Sequence, residues 1–208
     1  MAKITTDAKC RLCRREGEKL FLKGEKCFSA KCPVSLKPYP PGAHGKNARF
    51  KLNAYGKQLR AKQKAKKIYY LNESHLFNSV KRAQRTHGNN DFNLMRELEM
   101  RLANAVYKSG LFASPNLARQ AVSHGHFLLN GRRVDLPNMR VTPGDVLEVR
   151  AKSRTSGLFP DLKKVTAMAE WIEFNPSSWQ VRVKGSPQQE TLAAGNVDFK
   201  SILEYYSR

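Results

Sequence analysis

The 208-residue sequence predicts an α+β fold: an N-terminal cysteine–metal module, a basic helical domain, and two helices followed by a small bent antiparallel sheet. Three observations predict it. All four cysteines fall within the first 32 residues, as a Cys-x-x-Cys pair and a Cys-x-x-x-x-Cys pair. Apolar residues recur at helical spacing through much of 52–122. An Asn-Gly dipeptide then separates two short apolar runs, the pattern of a tight hairpin.

The module comes first. Cys10, Cys13, Cys27 and Cys32 have the layout of a tetrathiolate site, for which zinc is the usual occupant. An iron–sulfur cluster uses the same ligand type and stands as the alternative. Four small buried hydrophobes would sit poorly in so polar a segment. Lys9, Arg11, Arg14, Lys26 and Lys31 flank the thiols, and nearby cations favour thiolate. A closed ligand set has no open position, so the expected site is structural, offsetting the small core of a short module. The N-terminus lacks the apolar core of a signal peptide, and no apolar run approaches membrane-spanning length. A soluble protein of the reducing cytosol is expected, where disulfides are rare.

Residues 37–46 hold three prolines and two glycines, which predict an extended, partly polyproline-like linker. Residues 52–70 read as a helix with Leu52, Tyr55, Leu59 and Ile68 as an incomplete inward stripe. Lys57, Arg60, Lys62, Lys64, Lys66 and Lys67 take most other faces, and no carboxylate lies among them. A solvated face would leave that repulsion uncompensated, so phosphate contacts are expected here. A second helix spans roughly Ser74 to His87, with Leu76, Phe77, Val80 and Ala83 inward and Gly88 as its stop.

A third helix starts at Asp91 as N-cap and runs through Met95, Leu98, Leu102, Ala105 and Val106 to Gly110. The fourth has Ser114 as N-cap and Pro115 at its first position, and ends at Gly125. Its inner face is Leu117, Ala118, Ala121 and Val122. Phe127–Leu129, the Asn130-Gly131 turn and Arg132–Val134 form a hairpin, and Pro143-Gly144-Asp145 turns the chain into Val146–Val149. Beyond that, Leu158 to Phe174 reads as a helix with Leu162, Val165, Met168, Ala169 and Ile172 inward. Trp179 to Val183 reads as a strand, and Phe199 to Tyr206 as an apolar-faced tail helix. Tyr69, Tyr70, Phe77, Trp171 and Trp179 are expected to be packing aromatics.

The formal net charge is +21, and it is unevenly spread. Residues 1–90 carry 22 Lys/Arg against 5 Asp/Glu, whereas 91–150 and 151–208 each carry 8 against 6. A polyanion that neutralises this surface is the expected partner, with counterion release as a driving force. An anionic membrane would want a basic helix with a clean apolar opposite face, which is missing. No nucleophile motif, phosphate-cradling glycine loop with lysine, or carboxylate pair suited to acid–base work is present, so no enzyme and no small-molecule substrate are expected. His124-Gly125-His126 offers only two ligands and is not read as a metal pair.

Several segments resemble one family. The run His124-Gly125-His126-Phe127-Leu128-Leu129-Asn130-Gly131-Arg132-Arg133-Val134-Asp135-Leu136-Pro137 resembles the core of the S-four RNA-binding domain. Pro38-Tyr39-Pro40-Pro41-Gly42-Ala43-His44-Gly45 and Ile202-Leu203-Glu204-Tyr205-Tyr206-Ser207-Arg208 are similar to the linker and C-terminus of the bacterial-type small-subunit ribosomal protein S-four family. The cysteine module is similar to that family's zinc-bearing subset. Pro115-Asn116 departs from it, standing where two basic residues are common.

The resemblance implies an S-four domain inserted into a discontinuous helical domain. The expected divisions are a cysteine module and linker over 1–45, a basic helical domain over 46–90 completed by 198–208, the S-four domain over 91–155, and a helix and strand extension of the middle domain over 156–197. It implies a structural constituent of the ribosome that binds small-subunit ribosomal RNA as a primary, assembly-nucleating protein. It further implies neighbouring ribosomal proteins and mRNA near the entry channel as partners, with a contribution to translational accuracy. The linker becomes a stiff RNA-threading arm, with Tyr39 and His44 as contacts. The RNA-binding candidates are Arg11, Arg14, Tyr39, His44, Lys46, Arg49, the six cations of 57–67, Arg119, Gln120, His124, His126, Asn130, Arg132, Arg133, Lys152 and Arg154. The rival readings are an RNA-modifying enzyme carrying an S-four domain, such as a pseudouridine synthase, an RNA-binding regulator using an S-four domain, and a zinc-ribbon DNA-binding regulator. The 58 residues after 150 are too few for a catalytic domain.

Overall fold

The computed structural model describes residues 8–47, 52–159, 169–188 and 197–207. Its compact units are two: Met1–Leu94 with Gly195–Arg208, and Met95–Ala194.

In the first unit, helix α1 (Lys9–Glu16) places Cys10 and Cys13 one turn apart and stops at Gly17, whose φ of 77° is the left-handed cap that glycine adopts cheaply. Cys13 packs with Leu20, Leu22 and Tyr70 in a small core. A 3-10 turn at Gly24–Cys27 and the short helix α2 (Pro33–Leu36), which Cys32 precedes, complete the module. Helix α3 (Ala54–Ile68) is capped by Asn53, whose side chain accepts from the Gly56 N–H at 2.7 Å. Helix α4 (Glu73–Arg85) is capped by Asn72, which accepts from the His75 N–H at 2.8 Å.

The expected inward stripe of α3 is corrected. Leu52 and Tyr55 are 44% and 46% exposed, and the buried positions are Gln58, Lys62 and Ala65. The reason is tertiary. Helix α9 (Phe199–Tyr206), capped by Asp198, lies against α3 and brings polar groups with it. Gln58 donates to Glu204 at 3.0 Å, and the Lys62 ammonium sits 4.3 Å from the Tyr205 ring centre. On α4, Leu76, Val80 and Ala83 are buried, but Phe77 is 38% exposed and meets Tyr206 at 5.6 Å between ring centres.

The third expected helix is in fact two, α5 (Asn90–Glu99) and α6 (Leu102–Lys108). Asn89, not Asp91, supplies the cap, accepting from the Asp91 N–H at 2.9 Å. The break falls at Arg101, which forms an isolated bridge with Arg140. Val141 N–H donates to Met100 O at 2.9 Å and Leu102 N–H to Met139 O at 2.8 Å. These bonds to residues 139–141 replace the helical ladder at the break, so apolar spacing alone could not reveal the interruption.

Helix α7 (Pro115–Ser123) buries Ala118, Ala121 and Val122, while Leu117 is 37% exposed rather than inward. Strands β1 (Phe127–Leu129), β2 (Arg132–Val134), β3 (Val146–Val149), β4 (Ile172–Asn175) and β5 (Gln180–Val183) form one antiparallel sheet in the order β2-β1-β3-β5-β4. Asn130 and Gly131 have φ of 49° and 80°, as a two-residue hairpin with right-handed twist requires. The helix expected over Leu158–Phe174 lies largely outside the described residues. Its far end is corrected to strand: Ile172 pairs with Val183 and Phe174 with Val181. Short helix α8 (Ala151–Arg154) follows β3. The core of this unit joins Leu102, Val106, Phe112, Ala118 and Val122 to Phe127, Leu147, Val149, Ile172 and Val181.

Candidate nucleic-acid interface

A cationic grouping forms around Gly125, where α7 gives way to β1. Gly125 is buried at φ 70°, and a Cβ there would fall 2.7 Å from the Arg133 Nε, so glycine lets that guanidinium lie on the backbone. Arg150 donates to the Gly125 carbonyl at 3.0 Å. The rings of His124 and His126 stand 6.0 Å apart, and His126 Nδ1 meets the buried Ser153 hydroxyl at 3.0 Å. Burial lowers the His126 pKa, and the neighbouring His124 and Arg150 lower it further. An approaching phosphate would reverse the charge part of that effect. Gln120, His124, Arg132, Arg133 and Lys152 are exposed, and burial depresses the half-buried Arg119 guanidinium. The structure therefore brings His124, His126 and Arg133 together and adds Arg150. Sequence reasoning missed Arg150. Its signal was the basic run that continues from it through Lys152 and Arg154.

Two candidates from this segment have internal duties. The Asn130 amide donates to Asp145 at 2.8 Å and its carbonyl accepts from the Val146 N–H at 2.9 Å, tying the hairpin turn to β3. Arg154 donates to Glu148 at 2.8 Å and to the Val149 carbonyl at 3.1 Å.

The basic helix α3 also differs from expectation. Its cations are compensated by carboxylates from elsewhere. Arg60 and Lys67 both pair with Glu16, whose side chain is 4% exposed. Lys64 pairs with Glu18 at 2.6 Å, while Lys62 and Lys66 pair with Glu73 at 2.9 and 2.7 Å. The premise of uncompensated repulsion is thus corrected, because Glu16, Glu18 and Glu73 lie outside the helix and were invisible to a local charge count. Lys62 is 5% exposed and cannot reach a phosphate without leaving this core. Lys57 is exposed. Burial raises the Glu73 carboxyl, but hydrogen bonds from Lys62, Lys66 and Tyr206 outweigh it and hold the pKa at about 2.

The proline-rich segment is folded, not extended. Arg14 Nε donates to the Lys37 and Tyr39 carbonyls at 3.2 and 3.0 Å, and its Nη2 donates to Pro40 O at 3.3 Å. The guanidinium carbon lies 4.7 Å from the Tyr39 ring centre, and Lys46 Nζ lies 5.9 Å from the same centre. Gly45 closes the loop. A Cβ there would fall 1.9 Å from Pro40 O. His44 and Lys46 are exposed on this loop, and Arg11 is exposed on α1. Arg49 lies outside the described residues.

At the cysteines, Cys13, Cys27 and Cys32 are buried and Cys10 is half-buried. Burial raises the Cys13 thiol, a hydrogen bond with the Leu20 backbone lowers it, and charge on Cys27, Cys10 and Cys32 raises it again. Cys13 therefore lies within electrostatic range of the other three sulfurs. The Lys23 N–H donates to Cys27 Sγ at 3.4 Å. Four thiols suit a soft cation. Among the described residues, however, no group of three or more His, Cys, Asp or Glu side chains is arranged to hold a metal ion. No helix of the described residues is long and apolar enough to cross a membrane.

Comparison with known proteins covers the chain nearly end to end. Residues 5–99 match the family described as ribosomal protein S4/S9 N-terminal domain, and residues 100–147 match the S4 domain. The chain is 45% identical over 206 residues to the small ribosomal subunit protein uS4 of Syntrophomonas wolfei, covering 98% of both chains. It is 44% identical over 205 residues to its counterpart in Clostridioides difficile, with 98% of both covered. It is 44% identical over 211 residues to the uS4 protein of Acidithiobacillus ferrooxidans, with full coverage of both.

Proposed function

Because the chain belongs to the uS4 family of small ribosomal subunit proteins, we propose that it is a structural, RNA-binding constituent of the small ribosomal subunit in the cytoplasm. Its role is to bind and shape ribosomal RNA, not to catalyse a reaction. The observation that carries this reading is the match to uS4 relatives along the whole length, which spans both the N-terminal part and the S4 domain. The chemistry agrees. The ends of α7, β2 and β3 present a cationic rim around Gly125, suited to a phosphate backbone held by shape.

Three finer statements belong to the same proposal. The protein binds small-subunit ribosomal RNA early in assembly, and its neighbours include other small-subunit proteins and mRNA near the entry channel. The RNA contacts are made by Arg11, Lys46, Lys57, Gln120, His124, His126, Arg132, Arg133 and Lys152. Cys10, Cys13, Cys27 and Cys32 hold a structural zinc ion, supported by the burial of three of the thiols in a module with little other core.

The test compares binding of the full chain to folded small-subunit ribosomal RNA and to duplex DNA across a salt series. A preference for the RNA of at least tenfold at moderate salt is expected. Equal affinity for both would overturn the reading, as would recovery of the native protein only in fractions free of ribosomal particles.

A further inference from the structure

Phe28 is the most exposed large hydrophobic side chain among the described residues, at 74%. Its ring stands beside that of Phe21, 5.0 Å between centres and tilted by 31°. Phe21 has φ of 51°, a left-handed conformation that a bulky aromatic rarely adopts. Its neighbours explain how it is held there. Leu20 and Leu22 are buried at 6% and 1% exposure, and they force the intervening side chain outward. The result is a supported pair, with Phe21 half-buried behind and Phe28 presented in front. Ser29, Ala30 and Lys31 are all exposed, so the chain that follows leaves Phe28 open.

We propose that Phe28, backed by Phe21, is a stacking platform for an unpaired base of the bound RNA. This rests on the ribosomal RNA-binding reading above and adds a contact to it. Charge selects the occupant. Lys23, Lys26 and Lys31 lie within five residues of Phe28 and are exposed, with Glu25 as the one carboxylate in residues 20–31. Interface centres that accept a protein side chain are depleted in lysine. An aromatic ring set among lysines is instead the arrangement that stacks a base and steadies its phosphate. Backbone strain at Phe21 fits the same purpose, since strained residues persist where a fixed geometry is used.

The test uses the full chain and small-subunit ribosomal RNA. Three variants are compared, Phe28→Leu, Phe28→Ala and Phe28→Tyr, together with crosslinking to RNA carrying 4-thiouridine. Loss of one base stack should weaken binding about 5- to 150-fold in Phe28→Leu and Phe28→Ala. Phe28→Tyr should stay within about twofold of the unsubstituted protein, and the salt dependence should be unchanged in all three. A crosslink should map to the peptide carrying Phe28. Because the side chain is exposed, thermal unfolding should be the same in every variant. Unchanged RNA affinity in Phe28→Leu with no crosslink would overturn the proposal while leaving RNA binding by the protein intact. Equal losses in Phe28→Leu and Phe28→Tyr, or lost association with other ribosomal proteins at unchanged RNA affinity, would overturn it in favour of a protein contact. Failure of the unsubstituted protein to bind the RNA would instead sink the underlying reading.

Discussion

Arg14 stacks on Tyr39 from a helix 25 residues earlier in the chain, with 4.7 Å between guanidinium carbon and ring centre. It also donates to three carbonyls of the loop that carries the ring. A lysine cannot make this fork. Arg14→Lys should therefore behave nearly as Arg14→Ala, speeding proteolysis within residues 37–47 about fivefold or more, for a local loss of about 1 kcal/mol or more. Protection of the loop in either variant would show that the clamp is dispensable.

Glu73 predicts an acid-sensitive first unit. Its folded pKa of about 2 lies below the ordinary 4.5. A depressed carboxyl contributes stability that is present in full above 4.5 and is lost as pH falls from there towards 2. Glu73→Gln should lower stability at neutral pH by about 1 kcal/mol, since the side chain is 47% exposed and screened. It should also flatten the pH dependence between 4.5 and 2. Acid titrations of the two proteins, followed by circular dichroism, check this. Parallel curves would count against it.

The cations divide into two classes with opposite signatures. Replacing Arg132 and Arg133 by Ala should reduce the slope of log affinity against log salt by up to about 0.7–0.9 per lost phosphate contact. Lys62→Met should leave that slope unchanged and lower folding stability by about 1–2 kcal/mol, because it loses Glu73 and the Tyr205 ring. A reduced slope in Lys62→Met would mean that α3 reorganises when RNA binds.

The cysteine proposal is checked by metal analysis. The purified chain should carry about one equivalent of zinc, and a Cys10→Ser, Cys13→Ser double variant should carry none. The first unit should then lose thermal stability while the second keeps its transition. Full metal content in the double variant would show that the ligands lie elsewhere.

What could be read from the residues was local. Asn130-Gly131 dictates its hairpin through backbone conformation, and Ser114-Pro115 starts α7 through its cap and fixed φ, so neither depends on distant chain. The break at Arg101 depends on pairing with Arg140, and the burial of Lys62 depends on Glu73 and Tyr205. Arg140 and Tyr205 lie far outside any local window, and Glu73, 11 residues after Lys62, falls beyond the end of α3. Ile172 follows Met168 and Ala169 at helical spacing and precedes Phe174 at strand spacing, and the pairing of Ile172 with Val183 and of Phe174 with Val181 decides for strand. At the candidate interface, cationic residue types were legible, but which cations were already engaged was not. Glu16 and Glu18 reach α3 from 44 and 46 residues earlier in the chain.

Tyr206 donates to Glu73, 133 positions earlier in the chain, and α9 covers the buried side of α3. During synthesis, α3 and α4 emerge long before the helix that seals them, and the whole of Met95–Ala194 is made in between. Throughout that interval Gln58 lacks Glu204, Lys62 lacks the Tyr205 ring and Phe77 lacks Tyr206. The nascent chain thus carries an open seam whose closure reports that the intervening S4 unit has already been translated.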